Sequence, residues 1–270
     1  MVVTGAGGKL GRLLRAAWRE APPAGVRPIW AGRGQCVDLH WDLLQDPPPR
    51  LPPGCQVLHL AGVVRGDDPA LARNLAMVDP LLQVCRDAQV TRLFFASTAA
   101  VYRPGIRPGR EDDVAAPVSA YGRSKLAAEE RLLRQDAIAV TALRIGNVAG
   151  ADALLGRRPE GAEIVLDPVA RQPDGPLRSW LGGLHLADIL PRLLQMPDLP
   201  PRLNLAVGPP FGMADLLRAS GLPWRFGPPN PAVIPVAVMD TQRLSRLLPP
   251  METTARQLAE QAAWARGVLA

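Results

Sequence analysis

Through the first 150 residues, short apolar runs alternate with stretches of helical period, the pattern of parallel βαβ units. Met1–Thr4 reads as a strand, Gly5–Gly8 as a turn, and the stretch to about Arg19 as an amphipathic helix. Val26–Ala31 predicts a second strand and Cys36–Trp41 a weaker third, before a Pro-rich connection at Pro47–Pro53. Gln56–Val63 and Arg92–Ser97 are near-continuous apolar strands of the kind buried on both faces, with one helix over Leu71–Asp87 between them. A helix over Ala120–Arg134 and a strand at Val140–Ile145 follow. Beyond Gly150, Gly and Pro become frequent, and only Leu203–Val207 reads as a strand returning to the main sheet.

The expected fold is therefore α/β: a Rossmann-type doubly wound parallel sheet over 1–150 plus about 185–207. A small C-terminal lobe facing the substrate, about 151–184 and 208–270, completes it. The 270 residues suit this size, and 47% apolar with 21% charged residues exclude a largely disordered chain. No apolar run approaches a membrane span, and Met1 leads at once into the glycine-rich turn, so a soluble cytoplasmic protein is expected. Three dispersed cysteines and three dispersed histidines predict neither a disulfide framework nor a metal site. The net charge of +6 is spread along the chain and aromatics are only 4%, which argues against nucleic acid as partner. Only two of the 31 basic residues are lysines, Lys9 and Lys125, so each stands out as a place where an amine is required.

Chemistry starts at Thr4-Gly5-Ala6-Gly7-Gly8-Lys9-Leu10-Gly11, between a strand and a helix. In that setting Gly5 permits a tight turn and Gly8 a close approach to a pyrophosphate. Gly11 lets the helix pack on the sheet with its N-terminus facing the anion. The second strand ends at Ala31-Gly32-Arg33 without the acid that holds the ribose of NAD, and Arg33 favours the 2′-phosphate of NADP, with an ordinary loop arginine as rival. Asp42, in Trp41-Asp42-Leu43, suits either an adenine amine or a helix N-cap.

Tyr121 and Lys125 stand four apart on a predicted helix and so share a face. An ammonium there would favour the phenolate and let the tyrosine exchange a proton near neutral pH; a buried Tyr with a surface Lys is the bland alternative. Ser97 and Thr98 put two hydroxyls at the carboxyl end of a buried strand, the edge where ligands bind in parallel sheets.

With these residues in view, the sequence resembles the extended short-chain dehydrogenases/reductases, the NAD(P)-dependent epimerase/dehydratase family, whose members mostly act on nucleotide sugars. The glycine turn, Ser97-Thr98…Val101-Tyr102 and Tyr121…Lys125 carry the likeness. Leu60-Ala61-Gly62 after His59, Asn74, Glu111, Pro117–Tyr121, Leu143–Gly150, Leu184–Asp188 and Leu203–Leu205 extend it.

The resemblance implies roles. Tyr121 would be general acid/base, Lys125 would hold the nicotinamide ribose and lower the tyrosine, and Thr98, with Ser97 as fallback, would bind the reacting oxygen. Gly5, Gly8, Lys9, Leu10, Gly11, Arg33, Asp42, Leu43, Leu60, Ala61, Gly62 and Asn74 would face the cofactor, Lys9 as a cation within reach of a phosphate. Asn147 and Arg178 would face a nucleotide-sugar substrate, Arg178 at a longer spacing to His185 than is usual in the family. Ala99 and Ala100 after Thr98 lack the acid that dehydratases carry there. The resemblance also implies a homodimer through helices 71–87 and 120–134, where Leu71, Leu75, Val78 and Leu82 form a stripe suited equally to core or interface. An NAD(P)-dependent oxidoreductase or epimerase is the leading expectation; a non-catalytic NADP-binding regulator or chaperone of the same fold is the alternative.

Overall fold

The computed structural model describes residues 1–159 and 161–270. Its centre is a sheet of seven strands, all parallel: β1 (Val2–Thr4), β2 (Ile29–Gly32), β3 (Leu39–His40), β4 (Gln56–His59), β5 (Arg92–Thr98), β6 (Ala139–Ile145) and Arg202–Leu205, the eleventh strand in chain order. Their spatial order is Arg202–Leu205, β6, β5, β4, β1, β2, β3. The strand order reverses beside β1, the place where doubly wound sheets open a crevice.

Helix α1 (Lys9–Glu20) lies on one face of the sheet. Helices α2 (Asp68–Ala76), α3 (Val78–Asp87) and α4 (Ala120–Leu133) cover the other, burying Val57, Leu82, Phe95 and Leu132 between helix and strand. The helix expected as one piece over 71–87 is two, broken at Met77. Pro80 has no N–H to bond the carbonyl of Ala76, so the ladder cannot run through. Pro28 likewise delays β2 to Ile29, whose N–H then bonds Met1 O at 2.8 Å. The strand expected to reach Val63 ends at His59, and Asn74 grips both backbone groups of Val63 in place of the ladder.

Past β6 the chain enters the smaller lobe through β7 (Asn147–Ala149). It continues through β8 (Ile164–Leu166), β9 (Leu177–Arg178) and β10 (Trp180–Gly182), which pairs with β7. Helix α5 (Gly183–Leu194) then packs beside α1 on the main sheet and leads to β11 (Arg202–Leu205), the returning strand foreseen in the sequence. After β12 (Phe211–Gly212) come α6 (Met213–Ser220), β13 (Trp224–Phe226), β14 (Val236–Ala237), α7 (Gln242–Leu247) and α8 (Ala255–Val268).

A separate core of Leu155, Ile164, Trp180, Leu217, Leu258 and Ala262 holds the lobe. The stretch 208–270 serves both units. α7 packs on β11, and α8 lies between α6 of the lobe and α1 and α5 of the main domain. Leu71, Val78 and Leu82 are buried in the main core, so the stripe on these helices is core, and only its Leu75 is exposed. Among the described residues no helix is long and apolar enough to cross a membrane.

Candidate active site at the carboxyl edge of the sheet

β1 delivers the chain into the glycine turn. Gly5 adopts φ +73, and a Cβ there would lie 2.5 Å from Ala61 N. A Cβ on Gly11 would lie 2.4 Å from Gly5 O, so α1 can rest this close to the turn only with glycine at that position. Gly8 caps α1 without a side chain, and the first turn of the helix carries no acid. Its free N–H groups are therefore open to an anion.

Two adjoining cavities share this turn. The first, about 640 Å³, is lined by Gly5, Gly8, Gly32, Arg33, Asp42, Leu43, Leu60, Ala61 and Gly62, all expected on the cofactor side except Gly32. Gly34, Val63, Arg73 and Met77 also line it and were not foreseen. The second, about 650 Å³, is lined by Gly5, Gly8, Lys9, Leu10, Gly11, Gly62, Ser97, Thr98, Tyr121, Lys125 and Asn147. A bent glycine turn at a helix N-terminus, continuous with both cavities, fits a dinucleotide pyrophosphate with its two nucleoside ends in opposite directions.

Arg33 is well exposed and its guanidinium lies 3.5 Å from Asp42. Asp42 caps no helix: its Oδ1 accepts from Leu44 N in a turn. Asn74 is buried behind the cavities, bonded to Val63 and to Ser124 Oγ, and shapes the loop without lining either space. Arg178 also lies away from both cavities, its guanidinium donating to the carbonyls of Leu177 and Ile234 at 2.8 Å each. Lys9 Nζ donates to Ala151 O at 2.7 Å, across the mouth of the second cavity.

Ser119 caps α4 by accepting from Gly122 N, and this helix presents Tyr121 and Lys125 to the cleft. Thr98 ends β5 and its Oγ1 accepts from Ala100 N. Ser97 lines the same cavity, but its Oγ donates to Glu129 Oε2 at 2.6 Å in the interior. Lys125 is 4% exposed, which removes the surface-lysine alternative.

Burial raises the Tyr121 phenol above its usual value of 10, and the neighbouring Thr98 hydroxyl draws it partly back. The Lys125 amine, expected to lower the phenol, lies 4.0 Å over the Phe95 ring. Burial instead pushes Lys125 itself down to about 7, with the Glu129 carboxylate opposing. Beneath, His59 is wholly buried, stacked on Phe95 and 2.8 Å from Thr4 Oγ1 through Nδ1. Burial first and then Lys125 push this imidazole down to about 3, so it is neutral.

Comparisons with known proteins agree with this geometry. A UDP-glucose 4-epimerase of Azospirillum brasilense is 33% identical over 207 residues, covering 65% of this chain and 57% of that protein. A UDP-glucose 4-epimerase of Lactobacillus helveticus is 40% identical over 82 residues, 29% of this chain and 25% of that one. The chain thus aligns with little more than half the length of the first of these curated relatives and a quarter of the second. Among solved structures, MoeE5 in complex with UDP-glucose and NAD superposes with a TM-score of 0.77 at 23% identity, over 100% of this chain and 99% of that one. UDP-glucose-4-epimerase from Stenotrophomonas maltophila with bound NAD and formylated UDP-arabinopyranose gives 0.78 at 19% identity, over 99% and 98%. At these identities the structures share the fold. The glycine turn, β5 and the Tyr121–Lys125 helix all fall within residues 1–172, which match the model of one family. By that match the chain belongs to the NAD dependent epimerase/dehydratase family.

Proposed function

We propose that the chain is an NAD(P)-dependent epimerase or oxidoreductase of a nucleotide sugar, with Thr98, Tyr121 and Lys125 as its catalytic side chains. The observation that carries this reading is the meeting of those three residues with the glycine turn in one cleft of about 650 Å³. The UDP-glucose 4-epimerases among its relatives support a UDP-sugar as substrate.

When bound, the dinucleotide supplies or takes up the hydride at nicotinamide C4. The chain's own residues do the rest. The turn Gly5–Gly11 and the N-terminus of α1 hold the pyrophosphate, and Lys125 holds the nicotinamide ribose. Tyr121 gives a proton to the substrate oxygen or takes one from it, and the Thr98 hydroxyl orients that oxygen. A phenol held in its neutral form by burial is set up as the acid; taking the proton from an alcohol needs positive charge beside it. Asn147, on the wall of the same cleft, meets the substrate.

Arg33 reaches a 2′-phosphate once it leaves Asp42, which favours NADP. The active unit is a cytoplasmic homodimer through α2, α3 and α4, on whose surface Leu75 is exposed.

Tyr121→Phe tests the reading. With UDP-glucose as probe, turnover falls by a factor of about 10²–10⁴ while dinucleotide affinity stays. Turnover that survives the substitution overturns it, and a protein that binds dinucleotide but turns over no sugar in wild-type form is the regulator of the alternative reading. Native mass spectrometry of freshly purified protein then separates the two chemistries: retained NAD(H) marks an epimerase, exchangeable cofactor a net oxidoreductase.

A further inference from the structure

One turn beyond Lys125 on α4, Glu129 is completely buried. Its Oε1 accepts from Arg144 Nη2 at 2.6 Å and from Arg202 Nε at 3.0 Å, and its Oε2 accepts from Ser97 Oγ at 2.6 Å. Arg144 Nε lies 3.2 and 3.3 Å from the two oxygens. The carboxylate therefore ties α4 to β5, β6 and β11 at once. Arg144 is 1% exposed and lies 4.8 Å over the Tyr102 ring, whose hydroxyl donates to Asn204 Oδ1, so the assembly is braced from behind.

A buried carboxylate ringed by two guanidiniums and a hydroxyl would serve structure alone if it faced only those groups. Glu129 also stands one helical turn beyond Lys125 on α4, buried like it, and its charge acts to raise the amine against burial without a direct ion pair. The groups around the Lys125 amine are few. α4 contributes Glu129, β4 the neutral His59, β5 the Phe95 ring, and the loop after β4 brings Gly62 close with Asn74 beside it; Arg144 and Arg202 pair with Glu129. Among these, Glu129 is the one anion. We propose that Glu129 is a positioning residue of the site, fixed by Ser97, Arg144 and Arg202 so that its carboxylate keeps Lys125 an ammonium and holds it toward the cleft.

Without that carboxylate, an amine enclosed by Phe95 and His59 loses its proton and with it the charge that a ribose hydroxyl and a phenolate require. Arg202, one-third exposed, works in the opposite sense: it shares Oε1 and so weakens the field that Lys125 feels. The inference rests on the role given to Lys125 above, yet it is tested without substrate or cofactor, so its failure and that of the functional reading are distinguishable.

The chain has only two lysines, so lysine labelled with ¹³C at Cε yields two side-chain resonances, and a Lys9→Arg variant assigns them. In wild-type protein the Lys125 signal titrates near 7. In Glu129→Gln its midpoint falls by about 1–3 pH units. In Arg202→Gln it moves upward. A purely structural Glu129 would change thermal stability and leave the midpoint of the folded protein where it was, and that result overturns the proposal. Should Glu129→Gln not fold, Arg202→Gln decides alone: a raised midpoint supports the proposal, and an unmoved or lowered one overturns it.

Discussion

Lys9 Nζ donates to the carbonyl of Ala151 over 2.7 Å and so joins the glycine turn to the first residue of the smaller lobe's entry loop. Gly150 turns this loop at φ +85, and the Asp152 carboxylate accepts from the N–H groups of Gly150, Leu154 and Leu155. The lysine is thus a tie between two walls of the second cavity. Being exposed, the tie contributes about 1 kcal/mol or less. Lys9→Met therefore lowers Tm by no more than about 2–4 °C. Dinucleotide release, followed by stopped-flow fluorescence, becomes faster, and an unchanged release rate rules the tie out.

Gly122 packs closely within α4, the helix of Tyr121 and Lys125. A Cβ there would lie 2.3 Å from the carbonyl oxygen of Ala100 and 2.9 Å from Pro117 Cβ. Ala100 belongs to the short turn that follows Thr98, so added bulk moves Tyr121 and Thr98 apart. Gly122→Ala is expected to destabilise the fold by about 1–3 kcal/mol, as overpacking does. Turnover of the folded fraction falls far more than dinucleotide affinity, because the glycine turn is untouched. Urea denaturation and a binding titration on one preparation check both parts.

The sheet and most of the residues that line the candidate cleft were legible in the sequence because their signals are local. A strand–glycine turn–helix unit, buried apolar runs and a Tyr/Lys pair at helical spacing each mean the same thing in any surroundings. The breaks were less visible. Pro80 divides one expected helix into α2 and α3, a signal present but outweighed by the apolar period around it. The role of Glu129 depends on Arg144 and Arg202, which are distant in sequence, although its spacing of four from Lys125 was there to be read. Arg178 was assigned by position along the chain, and two backbone carbonyls engage it instead. Whether Lys125 lowers Tyr121 depends on where an amine turns within a buried space, and spacing alone carries no such direction.

Arg33 and Asp42 pair at 3.5 Å on the wall of the first cavity, which Arg73 also lines. A 2′-phosphate would replace the Asp42 carboxylate as the partner of Arg33, whereas a free ribose hydroxyl leaves the pair intact. Arg33→Ala is accordingly expected to weaken NADP binding by roughly 10–100-fold, the worth of a charge-assisted hydrogen bond. NAD binding stays within about twofold. Equal loss for both dinucleotides, measured by isothermal titration calorimetry, refutes a phosphate-reading role.

His59 predicts how the fold fails in acid. Its imidazole is buried, bonded to Thr4 and pushed down to about 3 from an ordinary 6.5 by burial and by Lys125. Between those values the unfolded chain takes up a proton that the folded chain refuses. Linkage then fixes the sign: this contribution is fully present above pH 6.5, is lost as pH falls toward 3, and levels off below. One proton gives a slope of up to about 1.4 kcal/mol per pH unit across that window. Lys125 adds nothing there, because below 7 it is charged in both states; its own effect is a rise in stability from about 7 toward 10. Other carboxylates also contribute to acid unfolding, so the comparison is made against His59→Gln, which keeps a polar side chain beside Thr4 and cannot titrate. Chemical denaturation at pH 4, 5, 6 and 7 should give a shallower slope for the variant. Parallel curves for the two proteins would mean that the imidazole takes up its proton in the folded protein as readily as in the unfolded chain, and that the neutral layer under Lys125 does not exist.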